Sequence, residues 1–170
     1  MKSPHQALSL APLFLAACAT YVQAPAVPAA LVPAGEKYVE TVAARGVQIY
    51  ECRVSGTAAP AWVFVAPEAQ LSDYQGRTVG KHYAGPHWEA LDGSKIVGTV
   101  KSRADAPVAG AIPWLLLTTK AAGGSGIYSK VTSIQRINTV GGVSPAGSCT
   151  PGATERVPYT ADYVLFAAAS

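Results

Sequence analysis

The sequence is short of most of what would announce a chemistry. It holds three cysteines and one methionine among 170 residues, and no Cys-x-x-Cys pair, so a thiol redox catalyst is not expected. No Gly-x-Gly-x-x-Gly links a strand to a helix, which leaves a dinucleotide-binding unit unsupported. Gly123-Gly124-Ser125-Gly126 lacks the lysine and helix that a phosphate loop needs. A Gly-x-Ser-x-Gly nucleophile elbow and a His-Glu-x-x-His metal motif are missing as well. Charged residues make up 14% of the chain, with 13 basic against 10 acidic. No basic cluster forms, which gives no electrostatic footprint for nucleic acid. Neither a cofactor nor a metal ligand set is expected.

What the sequence does have begins at its start. An apolar run over residues 7–17 follows Met1-Lys2-Ser3-Pro4-His5. It suits the hydrophobic region of a secretion signal and falls short of the roughly 20 residues that span a bilayer. It ends in Leu15-Ala16-Ala17-Cys18, small residues that fit a peptidase cleft followed by a thiol able to take a lipid. This stretch resembles the lipobox of bacterial lipoproteins. The resemblance implies cleavage before Cys18, lipidation of Cys18, and anchoring in the cell envelope. Ala19, rather than an aspartate, implies the outer membrane, facing the periplasm. Residues 1–17 then form the signal, 18–34 an extended proline-bearing tether with Pro25, Pro28 and Pro33, and 35–170 a single domain.

Export changes how the remaining cysteines are read. Cys52 and Cys149 are the two thiols left in the body of the domain, and in an oxidising compartment they are most simply a disulfide. A pair of inert buried thiols is the alternative.

The body reads as strands. Glycine (16) and proline (13) punctuate short segments at about 38–54, 61–66, 96–101, 112–119, 131–139 and 158–166. In the first, Val47, Ile49 and Glu51 share one face and Gln48, Tyr50 and Cys52 the other. Pro67-Glu68-Ala69 is expected to break away into a turn. The run Ile112-Pro113-Trp114-Leu115-Leu116-Leu117 does not alternate, as expected of a strand covered on both sides. Apart from residues 36–44, the domain shows no helical periodicity. The fold class is therefore all-β: a mainly antiparallel β-sandwich or flattened β-barrel with Gly/Pro-rich loops.

Functional side chains are densest between Gly80 and Ser94. His82 and His87 flank Gly85-Pro86, where a turn would bring them together. Tyr83, Trp88, Glu89 and Asp92 complete the cluster, and Glu68 and Arg136 are candidate pocket partners. Imidazole with carboxylate could bind a metal or move a proton. Equally, His82 could hydrogen-bond a turn and Trp88 could plug the end of the fold with its indole N–H satisfied. Asp92-Gly93 is a hairpin turn signal.

These residues also carry a resemblance. Gly46-Val47-Gln48-Ile49-Tyr50-Glu51-Cys52, Ala66-Pro67-Glu68-Ala69, His82-Tyr83-Ala84-Gly85-Pro86, Trp88-Glu89-Ala90, Ile134-Gln135-Arg136 and Val157-Pro158-Tyr159-Thr160-Ala161-Asp162-Tyr163 resemble blocks of domain of unknown function 3455. That is a family of secreted bacterial and fungal proteins with no established activity, and the likeness covers about residues 32–166. His87 stands where the family pattern more often has a small residue, which makes His82 the better functional candidate. Some fungal members carry a malate dehydrogenase label, which a strand-rich domain without a nucleotide-binding α/β unit does not support. The leading reading is a lipid-anchored, non-enzymatic module binding a small ligand, a glycan or an envelope protein. The alternative is a small hydrolase or metal-assisted enzyme using His82, Glu89 and Asp92.

Overall fold

The computed structural model describes residues 25–169; the signal and Cys18 lie outside the described residues. Eight strands follow one another: β1 (Glu36–Arg53), β2 (Ala61–Ser72), β3 (Thr78–Tyr83), β4 (His87–Ala90), β5 (Lys95–Ala104), β6 (Trp114–Gly123), β7 (Val131–Gly141) and β8 (Thr154–Ala168). Each pairs antiparallel with the next, and β8 returns to pair with β1. One sheet thus closes into a ring, which decides between the two architectures that strand periodicity left open. Closure gives every strand a neighbour on both sides, unlike the two end strands of an open sheet.

The ring is uneven. The longest ladders join β1 to β8 and β1 to β2. By contrast, β2 pairs with β3 only over residues 69–72 with 78–82, and β5 pairs with β4 only over residues 95–97. The first half of β2 and the second half of β5 therefore lack a partner on the side of the short β3–β4 hairpin. This leaves a window in the wall above the hairpin tip. The same break explains why Pro67 does not end β2, contrary to the expected turn at Pro67-Glu68-Ala69. Pro67 pairs with Gln48 of β1 but lies before the β3 ladder begins, so its missing N–H costs no bond.

The core fills the ring by period-two alternation. On β8, Tyr159, Ala161, Tyr163 and Leu165 are buried and the intervening residues are not. Val42, Leu71, Trp88, Ile96, Leu115, Leu117 and Ile134 meet them from the other walls. Burying one such leucine or isoleucine stabilises by about 1.5–3 kcal/mol.

The first four residues of β6, Trp114 to Leu117, are covered on both sides, as their unbroken apolar run implies. Leu115 and Leu117 join the interior, while Trp114 and Leu116 pack outside against Leu31, Val27, Ala104, Ala106 and Ile137. The end of the expected tether supplies that cover. A 3₁₀ turn at Ala29–Leu31 buries Leu31, whose carbonyl accepts a 2.6 Å bond from Gln135 Nε2.

Cys52 and Cys149 form a disulfide with Cα atoms 5.8 Å apart. It ties the loop between β7 and β8 to the end of β1, beside the backbone bonds that Cys52 makes with Gly152 and Ala153.

Candidate functional site

The residues between His82 and Asp92 form the end of β3, a tight turn, β4 and the turn after it, and the pleat divides the strand residues between two faces. Around the tight turn Ala84-Gly85-Pro86, His82 pairs with Trp88 and Tyr83 with His87. Cross-strand partners share a face, and successive residues do not. His82 and Trp88 therefore point into the ring, while Tyr83, His87 and Glu89 point out. The turn does not bring the two imidazoles together.

Outside, Tyr83 donates a 2.5 Å bond to Glu89, and Lys81 forms a 3.1 Å ion pair with the same carboxylate. His87 stacks on the Tyr83 ring and bonds through Nδ1 to the Ala84 carbonyl at 2.7 Å. The bond to Glu89 pushes the Tyr83 hydroxyl up to about 12 and holds the Glu89 carboxyl below the usual range.

Asp92 is committed elsewhere. Its Oδ1 accepts from the Ser94 hydroxyl and N–H, and its Oδ2 from the Ile127 N–H at 2.8 Å. Those bonds hold its pKa below the ordinary carboxylate value, the Ser94 hydroxyl contributing most. Ser94 Oγ in turn accepts from the Tyr128 N–H. The turn thereby staples the 3₁₀ segment Ile127–Lys130 and its buried Tyr128 to the ring. Gly93, at φ +83°, makes the expected Asp-Gly turn without strain. His82 inside, Glu89 outside and Asp92 at the turn do not assemble into the proposed catalytic set. Among the described residues, no three His, Cys, Asp or Glu side chains gather as a metal site.

The interior holds a different constellation. Beneath the window lies an inner chamber of about 120 Å³, with Phe64, Pro67, Pro86 and Val100 in its lining. It joins an outer chamber of about 370 Å³ through shared walls at Gln48, Phe64, Val100, Leu115 and Arg136. Arg136 arrives from β7, in register with Leu115 of β6 and Tyr163 of β8, and Gln48 arrives from β1 opposite Pro67. A register shift between Ile49 and Tyr50, opposite Ala66 and Phe64, lets Phe64 and Pro67 line the same space. Phe64 and Val100 are half-exposed at 50% and 54%, an apolar lip at the mouth.

His82, Trp88 and Tyr163 form the aromatic floor. The imidazole stacks on the indole at 4.0 Å between centroids, and Tyr163 meets both rings edge-on. Gly98 makes room for this stack, because a Cβ there would lie 2.8 Å from the Trp88 ring. His82 bonds through Nδ1 to the His87 carbonyl at 2.8 Å, so that nitrogen carries the proton and Nε2 is the acceptor. Burial lowers its pKa to about 3, with Arg136 and His87 pushing the same way against the carbonyl bond. It is neutral across the physiological range and too weak a base to drive proton abstraction there.

The chamber is rich in donors. Trp88 is 1% exposed, yet its Nε1 finds no partner among the described residues, so the expected satisfied indole is not what forms. Gln48 is 3% exposed; its amide reaches toward the Tyr159 hydroxyl, but Nε2 completes no well-formed bond. Such buried unsatisfied donors are rare and each costs about 1–3 kcal/mol. Arg136 donates from Nε and Nη2 to the Pro113 carbonyl at 3.1 and 2.9 Å, and lies beside the Tyr163 hydroxyl. No carboxylate pairs with it among the described residues.

A larger groove of about 590 Å³ runs along the outer face of β1 to β4. Both of its carboxylates are already paired, Glu68 with Arg156 at 2.8 Å and Glu89 with Lys81, while Arg45 at its edge has no carboxylate partner among the described residues. Of the two candidate pocket partners, Arg136 therefore enters the interior site and Glu68 does not. Sequence reasoning missed Gln48, Phe64, Tyr163 and Val100. One signal was available for Gln48: it is a polar residue on the Cys52 face of β1, the face that turned out to be interior.

No curated protein and no solved structure is significantly similar to the chain. A family model described as a protein of unknown function (DUF3455) matches residues 33–167, nearly the whole ring and the chamber within it. The chain belongs to that family.

Proposed function

We propose that this is an exported, lipid-anchored envelope protein that binds a small ligand inside its β-ring and catalyses no reaction on it. The observation that carries the binding reading is the chamber under the window. A guanidinium with no carboxylate partner among the described residues, a buried indole N–H without an acceptor and a buried amide that completes no well-formed bond line it behind an apolar lip. Trp114 Nε1 and the Tyr128 hydroxyl also lack partners, away from the chamber, so what points to a ligand is the meeting of such donors with Arg136 in one cavity. The separation of His82, Glu89 and Asp92 favours binding over hydrolysis, since no base, acid and nucleophile stand within reach of one another.

Anchoring rests on Leu15-Ala16-Ala17-Cys18 and its apolar approach, and Ala19 favours the outer membrane. The several acyl chains of a mature lipoprotein hold firmly where one would not.

Two experiments test the two halves. Cys18→Ala should abolish acylation and detergent partitioning; recovery of the wild type unacylated refutes the anchor. Trp88 lies in the chamber wall, so ligand entry should change its fluorescence. In a small-molecule screen scored by tryptophan emission and Tm, at least one compound class should shift both. A wild-type protein indifferent to every class, or responding unchanged when Trp88 is replaced by Phe, refutes the site.

A further inference from the structure

We infer that the ligand is an organic anion: an oxyanion head group, carboxylate or phosphate, carried on an apolar body about the size of one ring. The inference rests on the chamber being the binding site and adds its chemical selectivity. Among the described residues, neither the inner nor the outer chamber is lined by a single Asp or Glu. Both are walled by Arg136, and the outer one also meets the exposed Arg103. The outer groove on β1 to β4, by contrast, carries carboxylates, Glu68 and Glu89, each held in an ion pair.

The hydrogen-bonding inventory points the same way. A guanidinium carries five N–H donors, and two of those of Arg136 go to the Pro113 carbonyl, leaving donors for another acceptor. Trp88 Nε1, at 1% exposure, is a donor without a partner, and Gln48 Nε2, at 3%, reaches toward Tyr159 without completing a well-formed bond. An amide, an indole and a guanidinium together ask for an acceptor with several lone pairs, which an oxyanion supplies and an ammonium or a hydrocarbon does not. Charge-assisted bonds of this kind strengthen with burial, and Gln48, Trp88 and His82 around the guanidinium are all buried.

The apolar part follows from size and lining. The inner chamber, about 120 Å³, is close to the roughly 150 Å³ of a cavity that accommodates benzene. The stacked His82 and Trp88 rings with Tyr163 on edge, and Leu115 and Leu117 behind them, suit a flat or branched apolar group. Phe64 and Val100 guide it in at the lip.

The test is calorimetric and fluorescence titration of the full chain, purified as its host processes it, with benzoate, phenyl phosphate, benzamide and benzylamine. At least one of the two anions should bind about tenfold or more tighter than the neutral and cationic analogues, and the stronger anion identifies the head group. Raising salt should weaken the anion and leave benzamide unchanged. Arg136→Gln should erase the preference for anions. Because that change also removes the Pro113 tie, Gln48→Leu is the second variant. It leaves the guanidinium in place, keeps the fold, and should still weaken anion binding by about tenfold. Benzamide or benzylamine binding as tightly as both anions would overturn the anion assignment while leaving the binding site standing. Absence of any heat, emission change or Tm shift with all four probes would overturn the assignment and the binding reading together.

Discussion

The buried His82 ring should make this protein lose stability on mild acidification by an amount that one substitution removes. In the folded state, burial lowers the imidazole pKa to about 3 from an ordinary value of 6.5. The unfolded chain therefore takes up a proton below pH 6.5 that the folded chain refuses. Stability from this residue is fully present above pH 6.5 and is lost progressively as pH falls toward 3. Each unit of difference is worth about 1.4 kcal/mol, so the loss reaches about 2 kcal/mol at pH 5 and about 3 kcal/mol at pH 4. Other groups titrate in the same window. Asp73, Glu89 and Asp92 have lowered pKa values and lose stability in the same direction, while Glu40 has a raised one and opposes them. Comparison with His82→Gln cancels these shared contributions and retains a donor for the His87 carbonyl. Urea unfolding at pH 7, 5 and 4 should find the variant less stable than wild type at pH 7 and the gap closing by about 3 kcal/mol at pH 4. The imidazole nitrogen resonances should report one neutral tautomer, protonated at Nδ1, down to pH 4. Parallel stability curves for wild type and variant, or a His82 ring that titrates near its ordinary value, would refute the reasoning.

Three further outcomes follow from the packing. Gln48→Leu should stabilise the ligand-free protein by about 1 kcal/mol in urea unfolding, because it removes a buried donor without a well-formed bond and keeps the volume; destabilisation would show that the amide is satisfied in solution. Cys52→Ala and Cys149→Ala should each cost about 2–5 kcal/mol and to the same extent, since either opens the same loop of 97 residues. Two freely alkylated thiols in unreduced protein would contradict the bridge. Gly98→Ala should push the Trp88 ring off the His82 stack at a cost of about 1–3 kcal/mol, read by unfolding and by red-shifted tryptophan emission; an unchanged spectrum would mean that the ring has room to spare.

Much of the fold was legible because its causes are local. Alternation along 158–166 and 131–139, Gly/Pro punctuation and the unbroken apolar run at 112–117 each depend on a residue's immediate neighbours and on the faces a strand presents. The all-β class, the doubly covered β6 and the Asp92-Gly93 turn could therefore be read without coordinates. The disulfide needed only the count of cysteines and the expectation of export. Closure of the sheet into one ring was not legible, because it depends on β8 returning to β1, a pairing between segments more than 100 residues apart. Pro67 misled for the same reason: whether a proline ends a strand depends on whether its N–H side has a partner, and that is set by where β3 begins.

The candidate site divides along the same line. The sequence by itself singled out His82, Trp88 and Arg136 as residue types with chemistry to offer, and marked Gln48 as polar on the Cys52 face of β1. Only the tertiary structure decided which of them meet. Pleating sends His82 and Trp88 inward and Tyr83, His87 and Glu89 outward, so a cluster contiguous in sequence is divided in space. Ring closure brings Gln48 of β1 and Arg136 of β7 to one chamber, though 88 positions separate them in the chain. Side-chain type is a property of the residue. Convergence, burial and the absence of a neutralising carboxylate are properties of the closed wall, and those three make the chamber donor-rich.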